Sequence, residues 1–236
     1  MDKILVWDFP TRAFHWILVF AIAFSVYTGL DGGFKEMDYH MYSGYLILSL
    51  IIFRIAWGFL SKGNARFSRF IVSPQKIIAY LRDTASNEPK NPETENYPGH
   101  NPLGGLSVLA LLAILLLQAT TGLFANDDIF VEGPLTHLVS EEISNLLTTI
   151  HHFSAMCLGG LIALHLSAIV CHEIILKHKI VMPMITGRKI INKGGEDGEE
   201  NLKTKQNTIA QLPELFMALI LIISAMSLVY AIVTYL

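Results

Sequence analysis

The sequence predicts an all-α membrane protein: a four-helix transmembrane bundle followed by a fifth, C-terminal transmembrane helix. Three observations lead there. Hydrophobic residues make up 52% of the chain and charged residues only 16%. Mean hydropathy is positive, which is too apolar for an ordinary soluble domain of 236 residues. Five apolar runs each approach the roughly 20 residues that cross a bilayer, and lysine and arginine are sorted among the loops between them.

The runs are residues 13–30, 41–60, 103–125, 150 to about 176, and 215–236. A segment in lipid has to satisfy its own backbone hydrogen bonds, so each is read as a helix. The first run follows Asp2, Asp8 and Pro10 and has no small-residue cleavage site after it, so it reads as a retained anchor. The second is broken only by Arg54. Lys3 and Arg12 precede the first run. Basic residues recur from Lys62 to Lys90 and from Lys177 to Lys205. The two other loops carry Lys35 alone, against acids such as Asp31, Glu36, Asp127, Glu132 and Glu141. The positive-inside rule then puts the N-terminus in the cytoplasm, and five spans leave the C-terminus outside. Residues 1–191 read as one transmembrane domain, 192–212 as a charged cytoplasmic linker and 213–236 as the extra helix. A net charge of −3 without a basic face excludes a nucleic-acid partner. Cys157 and Cys171 lie in one run, about 21 Å apart along a helix, too far for a disulfide. No Cys-x-x-Cys-His motif occurs, so a covalent c-type haem is excluded.

Ionisable side chains within spans are costly and mark function, and this chain has nine histidines. His151 and His165 are 14 residues apart. At 100° per residue both face the same way, separated by about 21 Å. Two haems can therefore stack along that groove, one per leaflet. His152 is turned about 140° from His165 and is left out. Loop topology supplies the facing ligands: His40 at the outer start of span two is level with His151, and His15 near the inner start of span one is level with His165. The reading is an outer haem between His40 and His151 and an inner one between His15 and His165. Arg54 is 14 residues after His40, on the same face. It either meets a propionate of the inner haem through its bidentate fork or snorkels to the cytoplasmic edge. His100, in Gly99-His100-Asn101-Pro102, stands at the inner start of span three; it either touches a propionate or a quinone or is interfacial. Gly29, Gly44, Gly159 and Gly160 are read as places for close approach of a macrocycle or a helix. Tyr27-Thr28-Gly29-Leu30 and Thr120-Thr121-Gly122-Leu123 both close outward-running helices, an echo read as similar packing.

Several stretches resemble one family. They are Val6-Trp7-Asp8-Phe9-Pro10-Thr11-Arg12 leading to His15-Trp16, His40 through Gly44-Tyr45 to Arg54 and Trp57-Gly58, and Gly99-His100-Asn101-Pro102-Leu103-Gly104. Thr121-Gly122-Leu123, His151 with His165, and Met184-Ile185-Thr186-Gly187-Arg188-Lys189 complete the set. In order and spacing the chain resembles the bacterial cytochrome b561 superfamily, which includes the b-type cytochrome subunits of nickel–iron hydrogenases. The resemblance covers roughly residues 4–191. It implies two non-covalent b haems held by His15, His40, His151 and His165. It also implies an electron conduit between the quinone pool and a periplasmic redox partner, a hydrogenase or a c-type cytochrome. His152 stands where many relatives have glutamate, and span five falls outside the resemblance.

The expected function is electron transfer rather than enzymatic catalysis. The alternative is a proton channel or transporter using histidine relays. It predicts a polar path, whereas the spans hold few polar groups beyond Gln118 and Arg54.

Overall fold

A computed structural model of the chain describes residues 2–31, 33–85, 99–127, 131–175, 177, 179–191 and 212–236. Most of the expected linker, with His178 and Asp128, lies outside the described residues. In chain order the α-helices are α1 (Phe9–Asp31), α2 (Phe34–Leu60), α3 (Phe67–Phe70) and α4 (Pro74–Ala85). They continue with α5 (Pro102–Gly122), α6 (Glu141–Val170), α7 (Val181–Thr186) and α8 (Leu212–Tyr235). Two short strands, β1 (Asp2–Leu5) and β2 (Arg188–Ile191), pair antiparallel with Asp2 opposite Ile191. Helices α1, α2, α5, α6 and α8 are long and apolar enough to cross a membrane, as the five runs predict.

The helices begin earlier than the apolar runs. Asp8 Oδ1 accepts the Thr11 N–H at 2.7 Å, and Asn101 Oδ1 accepts the Gly104 N–H at 2.7 Å. Both are N-caps that satisfy an orphan donor of the first turn, and Pro102 follows Asn101 in the first helical position, where a missing N–H costs nothing. Ser140 plays the same part for α6, its Oγ accepting the Ile143 N–H at 3.4 Å. Polar first turns therefore join the helices. His40 is the seventh residue of α2 and His151 the eleventh of α6, rather than standing at helix starts. At its other end α6 passes into one π-helical turn, Cys171–Ile175. Glu173 Oε2 from that turn accepts the N–H groups of Ile180 and Val181 at 2.9 and 3.3 Å.

The chain forms two compact units. One comprises Met1–Arg12, Trp57–Leu109 and Ser167–Ala218. Here sequence-distant motifs are neighbours. Val6 N–H donates to the Gly187 carbonyl at 2.8 Å. Arg12 Nη1 donates to the Ile185 carbonyl at 2.7 Å, and Trp57 Nε1 donates to Asp8 Oδ2 at 3.4 Å. Gly187 has φ 81°, a left-handed conformation that glycine adopts without a Cβ clash. An added Cβ would also stand 2.8 Å from the Trp7 carbonyl oxygen.

The other unit comprises Ala13–Ala56, Ala110–Leu166 and Leu219–Leu236. Its buried residues Leu48 of α2, Leu123, Leu135 and Val229 of α8 form one apolar cluster. The added helix α8 is therefore packed in this unit, with Ala225 and Val229 only 3% and 2% exposed. His137 Nε2 stands 2.7 Å from the carbonyl oxygen of Leu236, the residue after α8. Both cysteines are free.

Candidate haem-binding site

His15, His40, Arg54, His151 and His165 all lie in the second unit. The structure brings His40 of α2 and His151 of α6 together, with ring centroids 6.2 Å apart and planes crossed at 85°. Each ring is tethered at the same nitrogen. His40 Nδ1 stands 2.8 Å from the Ser25 carbonyl oxygen of α1, and His151 Nδ1 stands 2.9 Å from the Gln118 carbonyl oxygen of α5. A carbonyl only accepts, so both Nδ1 atoms carry the proton and both Nε2 atoms keep a lone pair.

The chemistry of this donor set fits a haem iron. A histidine nitrogen holds a first-row metal at about 2.0–2.1 Å and its ring centre lies about 1.1 Å further back, so two imidazoles on one iron stand about 6.3 Å apart. The observed 6.2 Å matches. The second hydrogen bond, from Nδ1 to a backbone carbonyl, is what metal-bound histidines use to fix tautomer and orientation. Close approach is built in as well. A Cβ on Gly29 would lie 2.7 Å from His40 Nδ1, and one on Gly122 would lie 2.9 Å from His151 Cε1.

Gln118 is the residue that sequence reasoning undervalued. Its Nε2 donates to His151 Nε2 at 3.0 Å, while its Oε1 accepts from the hydroxyl of Ser154, a side chain 1% exposed. One residue thus holds both ring nitrogens of His151, one through its backbone and one through its side chain. The signal available in the sequence was a lone amide in an apolar span, four residues before Gly122.

His15 of α1 and His165 of α6 belong to the same unit. His15 Nδ1 is buried with no hydrogen-bond partner among the described residues. Its ring meets Trp16 edge-on at 5.2 Å. Arg54 is 3% exposed, so it does not snorkel to water. His152 is exposed, on a different face from its neighbour. Gly44, Gly159 and Gly160 have open space where a Cβ would be, and the last two are exposed rather than turned to the histidines. His100 belongs to the first unit, where its ring lies 4.6 Å from Trp7 and 4.9 Å from Phe70.

A model of the prokaryotic cytochrome b561 family matches residues 6–187. The chain belongs to that family. A cytochrome b561 is a haem-containing, membrane-spanning electron-transport protein. This cytochrome is also 24% identical over 225 residues to a probable Ni/Fe-hydrogenase B-type cytochrome subunit of Rhizobium leguminosarum bv. viciae. That match covers 83% of this chain and 92% of the relative. No solved structure matches. The family match ends at Gly187, before the fifth helix begins at Leu212.

Proposed function

We propose that this cytochrome b561 is a four-helix bundle holding two b haems, with α8 added to it, and that it carries electrons across the inner membrane. His40 and His151 hold one haem, and His15 and His165 hold the other. Arg54, buried in the same unit, takes a propionate of the second haem, because a carboxylate fits the bidentate fork of its guanidinium. The sorting of basic residues supports a cytoplasmic N-terminus, a periplasmic C-terminus and an outer position for the His40/His151 haem. The quinone pool is one electron exchanger. A periplasmic redox protein is the other; the name of the Rhizobium relative favours a hydrogenase.

The observation that carries this reading is the His40–His151 pair, 6.2 Å apart with both Nδ1 atoms tethered to helix carbonyls. When bound, each haem supplies a one-electron iron couple whose potential follows its ligands and burial. The chain's residues do the rest. Ser25 and Gln118 orient the imidazoles, and the apolar spans keep water out. Two histidines per iron leave no open coordination position, so chemistry on oxygen at the metal is not expected.

The test is a reduced-minus-oxidised spectrum of the purified chain with a haem-to-protein ratio. A b-type spectrum with two haems per chain is the expected result. No b-type absorbance, or a single haem, overturns the di-haem reading.

A further inference from the structure

The echo between residues 27–30 and 120–123 is structural as well as sequential. On α1 the Thr28 hydroxyl lies 2.9 Å from the Phe24 carbonyl oxygen and 3.2 Å from that of Ser25. The Ser25 carbonyl also accepts from His40 Nδ1, and Gly29 lies against the same ring. On α5 the Thr121 hydroxyl lies 2.8 Å from the Leu117 carbonyl oxygen and 3.1 Å from that of Gln118. The Gln118 carbonyl accepts from His151 Nδ1, and Gly122 lies against that ring. Position by position, Phe24 corresponds to Leu117, Ser25 to Gln118, Thr28 to Thr121 and Gly29 to Gly122. The carbonyl that seats the ring is in both cases three residues before the threonine and four before the glycine.

We propose that Thr28-Gly29 and Thr121-Gly122 are twin positioning elements that hold His40 and His151 as Nδ1–H tautomers with crossed ring planes, and thereby set the electronic structure of the haem they share. The proposal rests on the reading that these two histidines ligate one iron. A threonine hydroxyl bonded back onto the preceding turn competes with the helical ladder there, and the seat carbonyl of that turn accepts the imidazole proton as well. The glycine removes the Cβ that would strike the ring edge. An imidazole that donates from Nδ1 is a more basic ligand, and it favours the ferric iron. Ring planes near 90° to each other leave two of the iron d orbitals almost equal in energy. Low-spin ferric haem then gives a strongly anisotropic electron paramagnetic resonance signal, and parallel planes give a rhombic one.

The experiment uses the full-length, haem-loaded chain in detergent. It compares the parent with G29A, G122A, T28V, T121V and T28S by haem count, paramagnetic resonance and redox titration. One haem of the parent should show the strongly anisotropic signal. G29A and G122A should each turn that signal rhombic or lose that haem alone. T28V and T121V should keep two haems while raising the midpoint potential of one, and T28S should restore it. If G29A or G122A fails to assemble, the valine and serine variants decide. Parent-like signals and potentials in all the variants that load two haems would overturn the proposal. So would two rhombic signals in the parent, although the di-haem reading would then survive. A parent without haem would overturn both.

Discussion

Gln118 occupies the position at His151 Nε2 that an iron would claim, at 3.0 Å. Ligation there must first displace this amide, whose net worth is about 0.5–1.5 kcal/mol. Gln118→Ala removes the competitor and leaves the backbone seat of Nδ1 intact. It should tighten haem binding at this site by roughly two- to tenfold, read by titrating the haem-depleted chain with haemin. Weaker binding would show that the amide helps the bound state instead. The neighbouring histidines give a sharper contrast. His151→Ala should lose one haem, whereas His152→Ala should keep both, because His152 is exposed. Haem counts of the two variants check this, and loss of haem in His152→Ala alone reverses the assignment. At this scale the helical period was enough to separate His151 from His152, and the facing of His40 and His151 followed from depth. The Gln118 side chain was not legible, because its role depends on a rotamer and on Ser154 of another helix, neither of which periodicity encodes.

The helix ends were partly legible. Asn101-Pro102 reads as a helix start and is one. The extra polar turns of α1, α2 and α6 were missed because hydropathy measures where lipid ends, not where hydrogen bonding ends. The pairing of β1 with β2 was not foreseeable, since two four-residue strands carry too little alternation to register. The same unit explains why motifs about 180 residues apart accompany each other: Val6 and Trp7 both donate to the carbonyl of Gly187. Asp8 is the hinge of this arrangement. It caps α1 through Oδ1 and receives Trp57 through Oδ2. Asp8→Ala should lower stability by about 0.5–2 kcal/mol from the lost cap alone. Asp8→Asn keeps a capping oxygen but turns a donor toward Trp57, so it should fall between the parent and the alanine variant. Apparent melting temperatures in detergent order the three. Equal melting of Asp8→Ala and the parent would remove the cap from the account.

For the molecule as a whole, five spans were legible from apolar run length, but the packing of α8 was not. A helix apolar on nearly every side carries no phase to say which face is covered. Only the coordinates show Val229 among Leu48, Leu123 and Leu135. Orientation is the reverse case: it is carried by loop charge and by no contact within the fold. The segments before α1, between α2 and α5 and between α6 and α8 hold nearly all of the lysine and arginine, and such segments stay in the cytoplasm. Alkaline phosphatase, active only after export, should therefore be active when fused after Leu236 or within the acidic segment near Val139. It should be inactive when fused after Ala85. A fluorescent protein that matures only in the cytoplasm should give the opposite pattern. If both reporters invert, the His40/His151 haem moves to the inner leaflet and the partner reached from its side changes with it. The proposed pairing of His40 with His151 would stand, because the 6.2 Å between the rings and the two carbonyl seats are set within the fold and do not depend on which side of the membrane it faces.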